Sequence, residues 1–189
     1  MAALVRQVPR ATIQKQLFGI RHGEGWHNVL YKSMGMEGYS AYADTTLTVE
    51  GMRQAANANA PEVDVVFVSP LMRTLQTANI MFPDTPTIAL ECLKEYPQQE
   101  HISNCRSETS LLQQLFPKVD FSDLEDETQP WPNATDPATN LNRAKFIIAT
   151  STATRFAIVS HSTWLKYWIT GTCADDPELK HCHAYDLKI

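Results

Sequence analysis

The stretch "RFAIVSH", residues 155–161, is apolar from Phe156 through Val159 and ends on a histidine. A strand with one wet face alternates apolar and polar residues. A continuous apolar run suits a strand covered on both faces, as in a parallel sheet. "VDVVFVS" (63–69) has the same character, and "KQLFGI" (15–20) and "PTIAL" (86–90) are further β-like runs. Helical candidates lie between and around them: "TVEGMRQAANANA" (48–60), "PLMRTLQTANIMF" (70–82), "SETSLLQQLF" (107–116), "NLNRAKFIIATSTA" (140–153) and "TWLKYWIT" (163–170). Pro70 suits a first helical turn, and the Ser/Thr-rich start at Ser107 suits a cap. Strands alternating with helices predict an α/β fold, a three-layer α/β/α sandwich with a mainly parallel central sheet. At 189 residues, the simplest organisation is a single domain over 1–189.

Each predicted strand delivers polar residues at its carboxyl end. Arg21 and His22 follow the first run, Ser69 and Arg73 the second, Glu91 and Glu95 the third, and His161 closes the fourth. Open parallel sheets bind ligands along that edge. Singly, Arg73 reads as a surface helix residue, His161 as a hydrogen-bonded strand end and Glu95 as a solvated charge; their shared edge makes a crevice the better reading. Two histidines and a glutamate can also ligate zinc or iron. Arg21 and Arg73 would repel such a cation, whereas guanidinium forks beside the glycine amides of "GIRHGEGWHNV" (19–29) suit a phosphoryl group. No metal is expected.

Composition narrows the partners. The net charge of -5 argues against a general nucleic-acid binder, so phosphate binding would be a local pocket. Four cysteines without a CxxC pair imply reduced thiols and a cytoplasmic setting. Cys182 sits between His181 and His183, but a lone HCH is thin support for zinc. The N-terminus lacks a continuous apolar secretory core, and no run is long enough to span a bilayer. The sequon "NAT" at Asn133 means little without such a signal, and the acidic, Pro-rich stretch 118–140 reads as a solvated surface loop. The stretch 25–44, with Trp26, Tyr31, Tyr39 and Tyr42 among glycines, reads equally as a lid over a small organic phosphate or as ordinary loop packing.

"RHGEGWHN" resembles the RHG signature of the histidine phosphatase superfamily, the phosphoglycerate mutase-like fold. The resemblance continues in order through "DTTLTVEGMRQA" (44–55), "VFVSPLMRTLQTA" (66–78), "LKE" (93–95) and "IVSHSTWL" (158–165), and the His27–Asn28 pair looks like the fungal and plant branch. It implies that His22 is the nucleophile, attacking phosphorus to form a phosphohistidine that water later hydrolyses. Arg21, Arg73 and His161 would neutralise the transferred group, Asn28 would also reach the phosphate, and Glu95 would be the general acid and base, with Glu91 its rival. Arg106 is a candidate contact for a second anionic group. The implied activity is metal-independent hydrolysis of a small phosphomonoester, without cofactor, nucleic acid or membrane partner, in a chain that could be a homodimer. "KEYPQQEHISNCRSE" (94–108) departs from the sequence that follows the acid in glycolytic mutases. A phosphoglycerate mutase is therefore the second reading, and a catalytically silent phosphate-binding member the third.

Overall fold

A computed structural model describes residues 14–96, 101–124, 136–173 and 178–189. Residues 1–13, the sequon at Asn133 and residues 125–135 of the acidic loop lie outside these residues. Six strands form one sheet: β1 (Gln16–Arg21), β2 (Val65–Val68), β3 (Thr87–Ala89), β4 (Val119–Asp120), β5 (Arg155–Ser160) and β6 (Ala184–Asp186). Their order is β4-β3-β2-β5-β1-β6, and only β6, beside β1, runs antiparallel. Seven helices accompany them: α1 (Trp26–Met34), α2 (Met36–Tyr39), α3 (Val49–Ala56), α4 (Met72–Met81), α5 (Thr109–Leu115), α6 (Pro137–Thr150) and α7 (Ser162–Thr170).

The uninterrupted apolarity of β5 has the predicted cause. Ala157 and Val159 pack with Ile20, Val66, Val68 and the inner faces of α3, α4 and α5. Phe156 and Ile158 pack on the opposite face with Phe67, Ala144 and Ile148 of α6, and Trp164 and Leu165 of α7. Each of these β5 side chains is sealed from solvent, so truncating Ile158 to Ala would cost about 2–5 kcal/mol.

Several expected boundaries move for physical reasons. Pro70 precedes the helix it was expected to open, because α4 starts at Met72 with Leu71 at its N-cap. Met72 N–H then donates to Asp44 Oδ1 (2.7 Å). Ser107 does not cap α5; its N–H and hydroxyl both donate to Asp44 Oδ2 (2.7 Å each). The stretch 25–44 folds into α1 and α2, and 118–140 contains β4 and the start of α6. Asp136 caps α6 by accepting from Thr139 N–H (3.1 Å), with Pro137 in the first turn.

Candidate active site

The carboxyl ends of β1, β5 and β2 lie side by side, and they carry Arg21, His161 and Ser69. His22 leaves β1 with its ring centroid 5.2 Å from that of His161, 5.3 Å from His27 and 5.7 Å from His181. The loop that presents His22 is held from three sides. Gly23 N–H donates to Thr77 Oγ1 of α4 (3.1 Å), and Glu24 N–H donates to Gln54 Oε1 of α3 (2.9 Å). Thr48, the N-cap of α3, donates its N–H to Glu24 O (2.9 Å). A β-carbon on Gly23 would sit 2.5 Å from Gly51 O, so this turn and α3 meet backbone to backbone. Leu47 N–H donates to Gln76 Oε1 (2.8 Å), tying the segment before α3 to α4. The LT-x-x-G-x-x-Q and R-x-x-QT segments thus shape the turn that carries the histidine.

His22 Nδ1 lies 2.7 Å from Gly23 O. A carbonyl only accepts, so Nδ1 carries the proton and the lone pair is on Nε2. Burial, followed by Arg73, His161, His27 and Arg21, pushes the His22 pKa well below its ordinary value, and the ring is neutral at pH 7. His161 and His27 are displaced the same way, first by burial and then by Arg73. His161 Nε2 meets Ser69 Oγ (2.8 Å), and its Nδ1 is buried without a partner among the described residues.

Arg73 is fully buried in the first turn of α4. Its Nη1 donates to Ser103 O (2.8 Å) and its Nη2 to Asn104 Oδ1 (2.9 Å), leaving Nε orphaned. Arg21 donates Nη1 to Leu179 O (2.7 Å), and its Nε is orphaned too. Two guanidinium N–H groups and an imidazole nitrogen are thus buried at one edge without a partner among the described residues. The crevice is closely walled: His22 is 2%, Arg73 0% and His161 0% exposed. Tyr39 of α2 packs edge-on against His27 (5.2 Å) and His101 (4.9 Å), and Ser40 Oγ meets His101 Nδ1 (3.0 Å). These contacts bring the α1–α2 hairpin against the segment that holds Arg73.

The two candidate acids part company. Glu91 takes Lys94 Nζ (2.7 Å) and Arg106 Nε (3.2 Å) on one oxygen. Glu95 turns to the start of α7, accepting from Tyr96 N–H (2.9 Å), Trp164 N–H (3.1 Å) and, at 3.4 Å, Thr163 N–H. Burial raises the Glu95 pKa; the Tyr96 N–H, Arg73 and the helix N–H groups oppose that rise without cancelling it. The segment carrying Glu95 is pinned to the sheet by Ser160 Oγ donating to Leu93 O (2.7 Å) and to α7 by Trp164 Nε1 donating to Cys92 O (2.8 Å).

Two predicted contacts point elsewhere. Asn28 Oδ1 accepts from Gly25 N–H (2.9 Å), closing the N-terminus of α1. Arg106 faces Glu91, Ser107 O and Thr109 rather than the histidines. Conversely, His181 was read only as part of a weak metal pattern, yet it sits against His22. The HCH triplet diverges: Cys182 N–H donates to Arg21 O (2.8 Å), and His183 packs on Tyr185 (4.7 Å). Among the described residues, no group of three His, Cys, Asp or Glu is arranged to hold a metal, and no helix is long and apolar enough to cross a membrane.

The profile of the histidine phosphatase superfamily (branch 1) matches residues 17–184. The chain belongs to that superfamily. A phosphoglycerate mutase-like protein of Arabidopsis thaliana is 28% identical over 86% of this chain and 77% of its own length. Phosphomutase-like protein 3 of Candida albicans is 33% identical over 40% of this chain, a match that spans only 30% of that protein. The crystal structure of the alpha-ribazole phosphatase from Shigella flexneri superposes with a TM-score of 0.52 at 25% identity, covering 82% of this chain and 78% of that one. Histidine phosphatase neighbours thus include proteins named for phosphoester hydrolysis and for phosphomutase chemistry.

Proposed function

We propose that this chain is a metal-independent phosphomonoesterase working through a phosphohistidine on His22. The observation that carries the reading is the Nδ1–H bond to Gly23 O, which leaves a neutral, buried imidazole with its Nε2 lone pair free. That nitrogen attacks phosphorus in line with the ester oxygen. As the N–P bond forms and the O–P bond breaks, Glu95 protonates the leaving alcohol. Water then attacks phosphorus, Glu95 takes back a proton, and the N–P bond breaks to release phosphate. Arg21, Arg73 and His161 supply hydrogen bonds and positive charge to the equatorial oxygens, the main need in phosphoryl transfer. Phosphate bound there offsets the mutual repulsion of these groups and raises the histidine pKa values. Asn28 supports the turn that carries His22, with direct phosphate contact a secondary role.

Hydrolysis is favoured over mutase chemistry by the fate of Lys94 and Arg106, the cations flanking Glu95 in sequence. A phosphoglycerate carboxylate needs a basic partner beside the phosphate site, and both Lys94 and Arg106 are turned to Glu91. Hydrolysis needs no such partner. The substrate class is a small phosphorylated metabolite, and a cytoplasmic location and homodimeric assembly accompany the reading as proposals.

The deciding assay follows 3-phosphoglycerate with added bisphosphoglycerate, alongside a panel of phosphorylated metabolites, with and without EDTA. Phosphate release exceeding 2-phosphoglycerate formation by roughly tenfold, about 1.4 kcal/mol in barrier, and unaffected by EDTA is the expected result. Rapid interconversion with little free phosphate makes the chain a mutase. Tungstate binding without turnover of any ester makes it a silent phosphate binder.

A further inference from the structure

The segment from Leu179 to Cys182 wraps the end of β1. Leu179 O receives the Arg21 guanidinium, and Cys182 N–H donates to Arg21 O. Between them, His181 Nδ1 lies 2.6 Å from His22 O. The carbonyl again fixes the tautomer: His181 Nδ1 carries the proton and its Nε2 is a bare acceptor. That Nε2 makes no hydrogen bond among the described residues and is not sealed from solvent, and the ring is only half-buried. The charged groups around it are Arg21, Glu24 and Glu178; burial and Arg21 keep the imidazole on the neutral side, while the two carboxylates and the His22 carbonyl pull the other way.

An accessible acceptor beside the nucleophile is out of keeping with the rest of the pocket. Arg21 and Arg73 offer only N–H donors, which phosphate oxygens satisfy, and the His22 lone pair is consumed by phosphorus. The phosphate dianion brings no donor of its own, so the acceptor is matched by water or by a hydroxyl donor on the alcohol.

We propose that His181 Nε2 reads the leaving group by accepting a hydrogen bond from a hydroxyl of the released alcohol, which makes the substrates phosphate esters of polyols, sugars or hydroxy acids. This rests on the phosphatase reading above. It assigns to His181 two separable roles: Nδ1 supports the nucleophile's backbone and Nε2 selects the substrate.

The two roles can be tested apart. His181→Asn places an amide N–H near the Nδ1 position and removes the group at Nε2; His181→Gln places a polar terminus near Nε2 and removes the one at Nδ1. The quantity measured is the ratio of kcat/KM for glycerol 3-phosphate to that for propyl phosphate, with p-nitrophenyl phosphate as a common reference. One well-placed hydrogen bond predicts a ratio of about ten for the wild-type chain. H181N should bring it to about one and H181Q should keep it well above one, whatever happens to the absolute rates. A wild-type ratio near one, a ratio unchanged in H181N, or a ratio lost in H181Q overturns the proposal. If the wild-type chain releases no phosphate even from p-nitrophenyl phosphate, the phosphatase reading itself fails, which is a different result from a flat ratio.

Discussion

Asp64, at the amino ends of β2 and β5, accepts from the N–H groups of Thr154 (3.1 Å) and Arg155 (2.9 Å) and from the Arg155 guanidinium (3.0 Å). Nearby, Lys15 Nζ closes the end of α6 by donating to the carbonyls of Ile148, Ala149 and Ser151. Asp64, Arg155 and Lys15 each have an opposite charge or a carbonyl for a partner, and the bonds from Arg155 and Thr154 hold Asp64 well below the usual carboxylate range. The carboxyl edge of the same sheet is built the other way. Arg21, Arg73 and four imidazoles crowd together, burial pushes each of their pKa values down, and three buried nitrogens lack partners. One edge is electrostatically closed and contributes to the fold. The other gathers like charges at a cost in stability, which under the proposed function a bound phosphate offsets.

The largest effect that would break this contrast is loss of the nucleophile. His22→Ala should lower phosphate release by at least about a thousandfold with the far-UV spectrum unchanged. Near-normal turnover would remove His22 from the chemistry and with it the meaning of the open edge. Arg73→Leu comes next. It should reduce kcat/KM by roughly a hundredfold or more and abolish the rise in Tm produced by tungstate, read by thermal shift. A preserved tungstate shift would mean that the buried guanidinium is structural.

Glu95→Gln should slow alkyl phosphates by about a hundredfold and aryl phosphates far less, because a phenolate leaves without protonation. Equal losses on both would take the acid role away from Glu95. The pH dependence of stability is a smaller effect. The histidines have folded pKa values below 6.5, so the unfolded chain binds their protons first. Ligand-free stability should therefore fall as pH drops below about 6.5, by up to about 1.4 kcal/mol per pH unit for each imidazole kept neutral. Glu95 and Asp44, raised by burial, work in the opposite sense lower on the scale, regaining stability as they protonate. Saturating phosphate should flatten the loss between pH 6.5 and 5; an identical slope with and without phosphate would contradict an anion site among these rings. Smallest of all, Asp64→Asn at the closed edge should lower Tm while leaving kcat/KM within about twofold.

The sheet was legible because β2 and β5 are apolar on both faces, a pattern that survives without any knowledge of their neighbours. The same reading located Arg21, His22, Arg73 and His161, since strand ends in a parallel sheet share an edge. Glu95 separated from Glu91 by its L-x-E spacing, but the physical reason, the Lys94–Glu91–Arg106 cluster, depends on chain returns that no local pattern encodes. Arg106 was assigned to the pocket for that reason: its charge is visible in the sequence and its pairing with Glu91 is not. The α1 helix was missed because it is short, follows the glycine-rich turn at 23–25 and buries only His27, while Trp26, Tyr31 and Met34 stay exposed. β6 is three residues long and owes its extended form to pairing with β1. His181 depends on β6 in turn, and next to Cys182 and His183 it imitated a metal ligand.

The strand order also dictates a timetable. β1 is made first, yet its two neighbours, β5 and β6, come near the end, and the bond from Arg21 to Leu179 closes a separation of 158 residues. Until Arg155–Ser160 has left the ribosome, β1 has two bare edges and His22 lacks the strand that carries His161 beside it. Such non-local pairing slows folding and leaves a nascent strand available to other chains. A fragment ending before Arg155 would therefore carry the RHG turn without His161 or β5 beside it, and would be prone to associate through β1.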